Sequence, residues 1–162
     1  MGLGLPKTFT LDNYIQIFEG GGIVRAFFNG LIQAGSSTFI VLVVGSLAAF
    51  VIARSRNKII SNLYYVFLLG LVVPIAYIPT YLVLDILGLM NTHFGYVCVH
   101  ATYGLPLAIF LYTAAVKGIP RELDEAAMID GSSCWYLYRK IIFPLLRTTT
   151  ATLFILIYGS ME

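Results

Sequence analysis

The chain has 162 residues, of which 59% are hydrophobic and only 11% are charged. A water-soluble domain needs a larger charged surface, so this composition excludes an ordinary soluble protein and predicts an all-α protein that spans a lipid bilayer. The formal net charge of +2 is too small to indicate nucleic acid as a partner.

The first segment, residues 1–28, mixes charged and aromatic residues and contains three consecutive glycines at 20–22. It lacks the order of a signal peptide, in which a charged start precedes an apolar run and a small-residue cleavage site. We predict an external segment that lies at the head groups, with the apolar side chains between 11 and 18 forming a short amphipathic piece. An ordinary ordered loop is an equally supported alternative.

Four apolar segments follow, at about residues 29–53, 60–87, 96–116 and 145–162. A bilayer core of about 30 Å needs roughly 20 apolar residues in a helix, so each segment is predicted to be a transmembrane span of one helical bundle. In the first of them, small residues would allow a neighbouring helix to approach closely, among them Gly35, Gly45 and Ala49.

Prolines at positions 74, 79 and 106 interrupt the second and third segments. They are expected to kink or locally unwind the helices, which in a transporter opens backbone groups to a cavity. Many ordinary membrane helices contain such prolines, so a cavity-lining role and a plain kink stay equally open.

Lysine and arginine are concentrated in two of the connections between the apolar segments. Residues 54–58 hold three of them, and residues 117–144 hold Lys117, Arg121, Arg139 and Lys140, whereas the turn at 88–95 holds none. Cytoplasmic connections of membrane proteins are enriched in these cations. We therefore predict that residues 54–58 and 117–144 are cytoplasmic and that the N-terminus of the chain is outside.

The connection at 117–144 is the longest polar stretch of the chain, and its pattern predicts two short helices with a hinge between them. Pro120 suits the first position of a helix, and acidic residues follow where the helix dipole favours them. Gly131 would end this helix in a left-handed conformation after about eleven residues. Ser132 or Ser133 would cap the second helix, which runs to Pro144.

The predicted first helix of this connection carries a stripe of mostly small residues. Its members recur at three- and four-residue spacing, as the residues on one face of a helix do: Leu123, Ala126, Ala127 and Asp130. Such a face can lie closely against another protein, so we interpret the stripe as a docking surface.

Motifs for catalysis and cofactor binding are not found in the sequence. There is no G-x-x-x-x-G-K-[ST] stretch, so any ATP hydrolysis is expected on a separate protein. We predict no metal, no cofactor and free thiols, because the histidines and cysteines lack metal-ligand spacing: His93, His100, Cys98 and Cys134. Asp85 and His100 are interpreted as solvated groups near the external ends of their spans, with a role in a transport path as the alternative. An intramembrane hydrolase that pairs His100 with a serine is the remaining catalytic alternative.

The sequence from Glu125 to Pro144 resembles the motif of a known family. The inner-membrane permease subunits of binding-protein-dependent ABC importers carry E-A-A-x3-G-x9-I-x-L-P, and this chain matches it at Glu125, Ala126, Ala127, Gly131, Ile141 and Pro144. Phe143 replaces the leucine of the motif by another apolar residue. Stretches such as AAFVIARSR and LGLMNTHFGYV are similar to the carbohydrate-uptake branch of the family. The resemblance covers almost the whole chain, and the motif is more specific than the branch.

In this family the motif forms a coupling helix that docks in a groove on a cytoplasmic ATP-binding subunit. The resemblance therefore implies that transport is coupled to that subunit through Glu125, Ala126, Ala127, Asp130, Gly131, Ile141 and Pro144. It also implies a multi-pass protein of a bacterial-type inner membrane, a second permease subunit as partner and an external solute-binding protein that delivers a sugar.

The same resemblance implies that a complete subunit has about six spans, each of the roughly 20 residues that a bilayer requires. With about four spans, this chain is expected to be part of a longer protein. Branches that import peptides, amino acids or anions stay open as alternatives, as does a membrane protein without a role in transport.

The predicted orientation can be checked by cysteine labelling of a variant that lacks the native cysteines. Ser55→Cys is expected to react only with reagent admitted to the cytoplasm, and Asn91→Cys with a membrane-impermeant reagent added outside, because the cations lie on the side of Ser55. Labelling of both positions from one side would contradict the four-span arrangement.

Overall fold

The computed structural model describes residues 22–160, and this part of the chain is all-α, with no strand. It begins with four helices: α1 (Gly22–Arg54), α2 (Lys58–Val72), α3 (Tyr77–Ile86) and α4 (His93–Gly118). It continues with α5 (Glu122–Ile129), α6 (Cys134–Leu137), a π-helical segment (Tyr138–Ile142), α7 (Phe143–Leu145) and α8 (Arg147–Gly159). Of the predicted external segment, residues 1–21 lie outside the described residues, and residues 22–28 form the beginning of α1.

Two of the helices, α1 and α4, are each long and apolar enough to cross a membrane. They contain the segments that were predicted at 29–53 and 96–116. The segment predicted at 60–87 consists of α2 and α3, whose axes are bent by 109°, and residues 134–145 are bent by 71° from α8. By length and composition, the described residues therefore provide two membrane spans, or up to four if each bent pair is one span.

Pro74 accounts for the bend between α2 and α3. The residue before a proline is driven from the helical into the extended conformation, and Val73 has φ −68° and ψ 125°. Pro79 lies in the first turn of α3, where a missing N–H group removes no helical hydrogen bond. Pro106, in contrast, stays inside α4. Pro74 thus breaks the helix, whereas Pro79 and Pro106 are accommodated within helices.

Polar side chains cap the first turns of α2, where the bent pair begins, and of α4, which follows it. The side chain of Asn57 caps α2 by accepting the N–H of Ile59 at 2.9 Å, and Thr92 caps α4 by accepting the N–H of Gly95 at 3.0 Å. The turn between α3 and α4 uses left-handed conformations at Gly88, with φ 66°, and Asn91, with φ 57°.

Helices α1 and α4 form the centre of the fold. A Cβ atom added to Gly45 would lie 2.9 Å from the Cβ atom of Ala108. Ala49 and Ala108 are both fully buried. The close helix approach predicted from small residues is therefore observed at Gly45, and Ala49 is buried in the core. Gly35 takes no part in it, because a Cβ atom added there would meet nothing within 4 Å.

Replacing Gly45 tests whether this contact sets the stability of the fold. Gly45→Leu should force α1 away from α4 and cost about 1–3 kcal/mol of folding free energy, as overpacking of a tight contact does. Gly35→Leu is the matched control, with open space for the new side chain. We expect a lower melting temperature in detergent for Gly45→Leu alone. Equal melting temperatures of the two variants would contradict the central role of the contact.

Candidate functional site

Helix α5 is shorter than the sequence predicts. It spans eight residues, Glu122–Ile129, instead of about eleven from Pro120. The reason is again the residue before a proline: Ile119 is extended, with φ −82° and ψ 126°, so α4 ends there and Pro120 falls in the connection. Acidic residues occupy the first turn of α5, as predicted, where the helix dipole favours negative charge: Glu122, Asp124 and Glu125.

Gly131 ends α5 as predicted. Its φ of 75° lies in the left-handed region. The Gly131 N–H donates to the carbonyl of Met128 at 3.0 Å, and the Ser132 N–H donates to that of Ala127 at 2.9 Å. These two bonds form a Schellman motif, which satisfies the last carbonyls of a helix. Of the two predicted caps for the next helix, Ser133 is the one used, since its hydroxyl accepts the N–H of Tyr136 at 3.3 Å.

The second helix of the connection ends at Leu145, one residue after the predicted boundary at Pro144. It consists of α6, the π-helical segment and α7 in succession, and the chain changes direction at Leu146. Pro144 is the second residue after the π-helical segment and has no N–H group to donate to the preceding turn. Ile141 is half-buried and packs against the core, next to the fully buried Ile142.

An ion pair joins α5 to the end of α1. Arg54 Nε lies 2.8 Å from Asp124 Oδ2, and the two side chains are only 12% and 11% exposed. Arg54 Nη2 also donates to the carbonyl of Ile119 at 3.1 Å, just after α4. One guanidinium therefore ties together α5, the end of α1 and the end of α4.

Burial governs the charge of Asp124. Desolvation raises the pKa of this carboxyl above its ordinary value, and the neighbouring charges of Arg54 and Arg121 lower it only in part. Asp124 Oδ1 is buried and has no hydrogen-bond partner among the described residues. The ionised carboxylate is consequently a cost to folding that Arg54 reduces.

Close packing contributes little to holding α5 in place. A cavity of about 350 Å³ borders the ion pair, and Phe50 of α1, Met128 of α5 and Leu137 of α6 are among its lining residues. Because this space is not filled by side chains, the position of α5 depends on the contacts of Arg54 and on the buried methyl group of Ala127.

The structure divides the stripe that was predicted as a docking surface. Ala127 is buried against the core, whereas Leu123, Ala126 and Asp130 are exposed. Glu125 is also exposed. The stripe is therefore not presented as a whole to a partner.

Two further apolar side chains of α5, which were not predicted as part of a surface, are exposed. Met128 is 64% exposed and Ile129 is 86% exposed. Leu123, Ala126 and Ile129 recur at intervals of three residues, a spacing that could have indicated this face. We call Leu123, Ala126 and Ile129 the apolar face of α5; Met128 lies about 160° around the helix from Ala126 and borders the cavity beside the ion pair. Contiguous exposed apolar residues with charged neighbours are typical of protein interaction sites.

A buried hydrogen bond links the π-helical segment to the middle of α1. The hydroxyl groups of Tyr138 and Ser46 are 2.7 Å apart, and the Ser46 hydroxyl donates to the carbonyl of Val43 at 3.0 Å. Tyr138 is therefore the donor to Ser46. Its ring packs against Phe50 with the centroids 5.4 Å apart. The connection is thus joined to α1 at two levels, through Arg54 and through Ser46.

Comparison with known proteins identifies the family. The family described as "binding-protein-dependent transport system inner membrane component" matches residues 18–161. The chain belongs to this family.

Several relatives of this inner membrane component are permease proteins. The chain is 37% identical over 156 residues to a probable starch degradation products transport system permease protein of Thermoanaerobacterium thermosulfurigenes, covering 95% of this chain and 57% of that protein. It is also 37% identical over 156 residues to a multiple sugar-binding transport system permease protein of Streptococcus mutans, with 93% and 56% covered. A melibiose/raffinose/stachyose import permease protein of Bacillus subtilis is 30% identical over 154 residues, with 93% and 56% covered. The chain spans somewhat more than half the length of these relatives.

Other polar residues of this inner membrane component lie apart from α5. His93 Nδ1 and Gln33 Nε2 are 2.6 Å apart, which joins the start of α4 to α1. The ring of His100 packs against that of Tyr96, with the centroids 4.1 Å apart and the planes inclined by 30°. Cys98 is half-buried and Cys134 is exposed, both as free thiols. Among residues 22–160, no three His, Cys, Asp or Glu side chains are grouped so that they could hold a metal ion.

Removing Arg54 tests how α5 is held in this inner membrane component. Arg54→Met leaves the Asp124 carboxylate buried without its partner, which should cost about 2–4 kcal/mol, somewhat less than for a fully buried pair because water reaches both groups. We expect a lower melting temperature and faster tryptic cleavage within residues 117–144. Arg56→Met, at an exposed position of the same connection, is the control.

The pH dependence of this defect has a defined sign. Because the folded-state pKa of Asp124 is raised, its ionisation costs stability above the unfolded-state pKa, and this cost disappears as the pH falls through the folded-state pKa. The defect of Arg54→Met should therefore shrink as the pH is lowered, and Asp124→Asn should relieve it at neutral pH. A defect that is independent of pH and of Asp124→Asn would show that Arg54 acts by another contact.

Proposed function

We propose that this chain is part of the permease subunit of an ABC-type importer for sugars. In this proposal it forms part of the translocation path and is driven by a separate cytoplasmic ATP-binding subunit, on which ATP is hydrolysed. Membership of the family and similarity to permeases whose names specify starch degradation products, multiple sugars and melibiose support it. The observation that carries the coupling role is the exposed apolar face of α5 beside the buried ion pair.

Motif residues on opposite sides of α5 would have different roles in coupling: those on the exposed side would contact the ATP-binding subunit, and Ala127 on the buried side would contact the membrane helices. On the exposed side, Ala126 permits close approach of the ATP-binding subunit, and Glu125 offers an acceptor to a donor across the interface. Asp130 and the apolar face of α5 complete this surface. On the buried side, Ala127 lets α5 lie against the membrane helices.

The rest of the motif would transmit movement of α5 to the membrane helices. Gly131 provides the turn that joins α5 to α6. Ile141 and Pro144 lie in the continuous stretch that leads into the core, and Tyr138 connects the same stretch to α1 through Ser46. A displacement of α5 would therefore reach α1 through buried contacts rather than through a loose loop.

We further propose a multi-pass protein of a bacterial-type inner membrane, with residues 54–58 and 117–144 cytoplasmic and the N-terminus of the chain outside. The ion pair supports a common side for the two connections, because it joins Arg54 of the first to Asp124 of the second. The remaining partners in this proposal are a second permease subunit, an external solute-binding protein and the lipid bilayer.

Gly131→Val in the full-length subunit tests the coupling role. A β-branched side chain strongly disfavours φ 75°, so the substitution should cost about 1–3 kcal/mol locally and change the direction of α5. We expect normal membrane insertion and association with the second permease, but reduced retention of the ATP-binding subunit and loss of ATP-driven sugar uptake.

Gly118→Val is the control for this substitution. Gly118 ends α4 on the surface, without a left-handed conformation and without an atom within 4 Å of an added Cβ. It should retain both the ATP-binding subunit and uptake. If Gly131→Val also retained both at the normal level, residues 120–144 would be a solvated connection and the coupling role would have to be abandoned.

A further inference from the structure

A cavity of about 620 Å³ lies where α1 and α4 end and α2 and α5 begin. Its lining comes from the two connections that are proposed to be cytoplasmic, together with the last residues of α1 and α4 and the first turn of α2. The helices that would cross the membrane therefore end or begin around it. This places the cavity at the level at which they leave the bilayer.

The lining of this cavity carries an excess of positive charge. It includes the side chains of Arg54, Lys117 and Arg121 but only one carboxylate, that of Glu122. Arg54 is engaged in the ion pair that holds α5, whereas Lys117 and Arg121 are exposed and form no ion pair with any described residue. Two free cations and one carboxylate leave one positive charge. This charge suits an anion that carries a single negative charge, such as a phosphodiester.

Two hydroxyl groups of the lining can donate hydrogen bonds to such an anion. The Ser55 hydroxyl accepts the N–H of Asn57 at 3.1 Å, which leaves its own proton free. The Ser61 hydroxyl forms no hydrogen bond within the part of the chain that the structure describes. Phosphate oxygens are strong acceptors, so these hydroxyls add directed hydrogen bonds to the attraction of the cations.

An aromatic contact positions the Lys117 ammonium between α4 and α2. Its Nζ atom lies 4.9 Å from the centroid of the ring of Tyr64, in the second turn of α2. Tyrosine is enriched at the level of the lipid head groups, and lysine side chains near helix ends extend to the same level. Contact with the ring leaves the three N–H donors of the ammonium available to a phosphate.

An exposed apolar strip on α2 continues from the cavity along the membrane helix. Tyr65 and Val72 lie within about 40° of Ser61 around the helix axis. Their side chains are 64% and 75% exposed. A free phosphate ion has no use for such a strip, whereas the acyl chain of a lipid would lie along it when the headgroup occupies the cavity. The strip therefore favours a lipid as the source of the phosphodiester.

We propose that this cavity binds the headgroup of an anionic phospholipid, with Lys117 and Arg121 as the cations and Ser61 as a hydrogen-bond donor. Basic pockets at the cytoplasmic ends of membrane helices are typical sites for anionic head groups. The proposal rests on the proposed membrane placement of the two connections, and it is independent of the sugar and of ATP coupling. Because Arg121 directly precedes α5, a bound lipid would hold the start of that helix at the membrane surface.

The experiment uses the complete transporter, assembled from the full-length subunit and its partners in lipid nanodiscs, with the native cysteines replaced by serine. A fluorophore is attached through Asn62→Cys, an exposed position next to Ser61. Its quenching is measured with phosphatidylglycerol or phosphatidylcholine that carries a nitroxide on the acyl chain. We expect a preference of about fivefold for phosphatidylglycerol, because the cavity has one net positive charge.

Charge variants test the cavity in both directions. Lys117→Gln together with Arg121→Gln should abolish the preference, whereas Glu122→Gln should raise it by about fivefold more. Such a gain cannot result from misfolding. Arg139→Gln together with Lys140→Gln is the matched control, because this exposed pair belongs to the same connection but does not line the cavity. It should leave the preference unchanged.

A second pair of variants tests the strip on α2. Tyr65→Ser together with Val72→Ser should reduce quenching by phosphatidylglycerol, because the acyl chain loses its contact. Ile59→Ser together with Val66→Ser is the control. These two side chains are 75% and 61% exposed, and they lie on the other side of α2 from Ser61.

Three results would overturn the lipid site. The first is equal quenching by the two lipids in the parent protein. The second is loss of the preference in inorganic phosphate but not in sodium chloride of the same ionic strength, which would show that the cavity holds a free anion. The third is loss of the ATP-binding subunit from Lys117→Gln/Arg121→Gln while the lipid preference persists, which would assign the cavity to an acidic segment of that subunit.

The outcome is separate from that of the import function. If the transporter shows the preference and its loss in Lys117→Gln/Arg121→Gln but takes up no sugar, the proposed import function fails while the lipid site stands.

Discussion

The close approach of α1 and α4 is the constraint on which the rest of the described structure depends. At Gly45 and Ala108 the two helices leave no room for a larger side chain. Lipid tails are as apolar as the helices themselves, so contact between closely spaced backbones, rather than removal of apolar surface from water, holds such a pair together. α1 ends at Arg54, and α4 ends just before Ile119. The packing of the two helices therefore also places the Arg54 guanidinium beside the Ile119 carbonyl, where it can bind α5 through Asp124.

The orientation of α5 depends on one charged contact and on the buried methyl group of Ala127. Asp124 is buried at a cost, and Arg54 is the partner that reduces this cost. Once Asp124 and Ala127 face inward, helical geometry requires that Leu123, Ala126 and Ile129 face outward. The ion pair between Arg54 and Asp124, which are far apart in the sequence, thus helps to determine which apolar side chains of α5 are exposed to a partner.

Local signals allowed much of this arrangement to be predicted from the sequence. Gly131 and Ser133 act on their immediate neighbours, and a turn or a cap needs no knowledge of the fold. The outward face of α5 could not be predicted with the same certainty, because it depends on Arg54 at the end of another helix. The π-helical segment was not predicted for a similar reason, since it is supported by the packing of Tyr138 and Ile142 in the core.

The bond between Tyr138 and Ser46 has a consequence for how sequences of this kind can diverge. Ser46→Ala alone would leave the buried Tyr138 hydroxyl without an acceptor, at a cost of about 1–3 kcal/mol, whereas Ser46→Ala together with Tyr138→Phe would leave no polar group behind. Single changes at either position are therefore penalised more than the paired change. The two positions are expected to vary together among relatives. Such covariation would be evidence, from sequences alone, that the π-helical segment packs against α1.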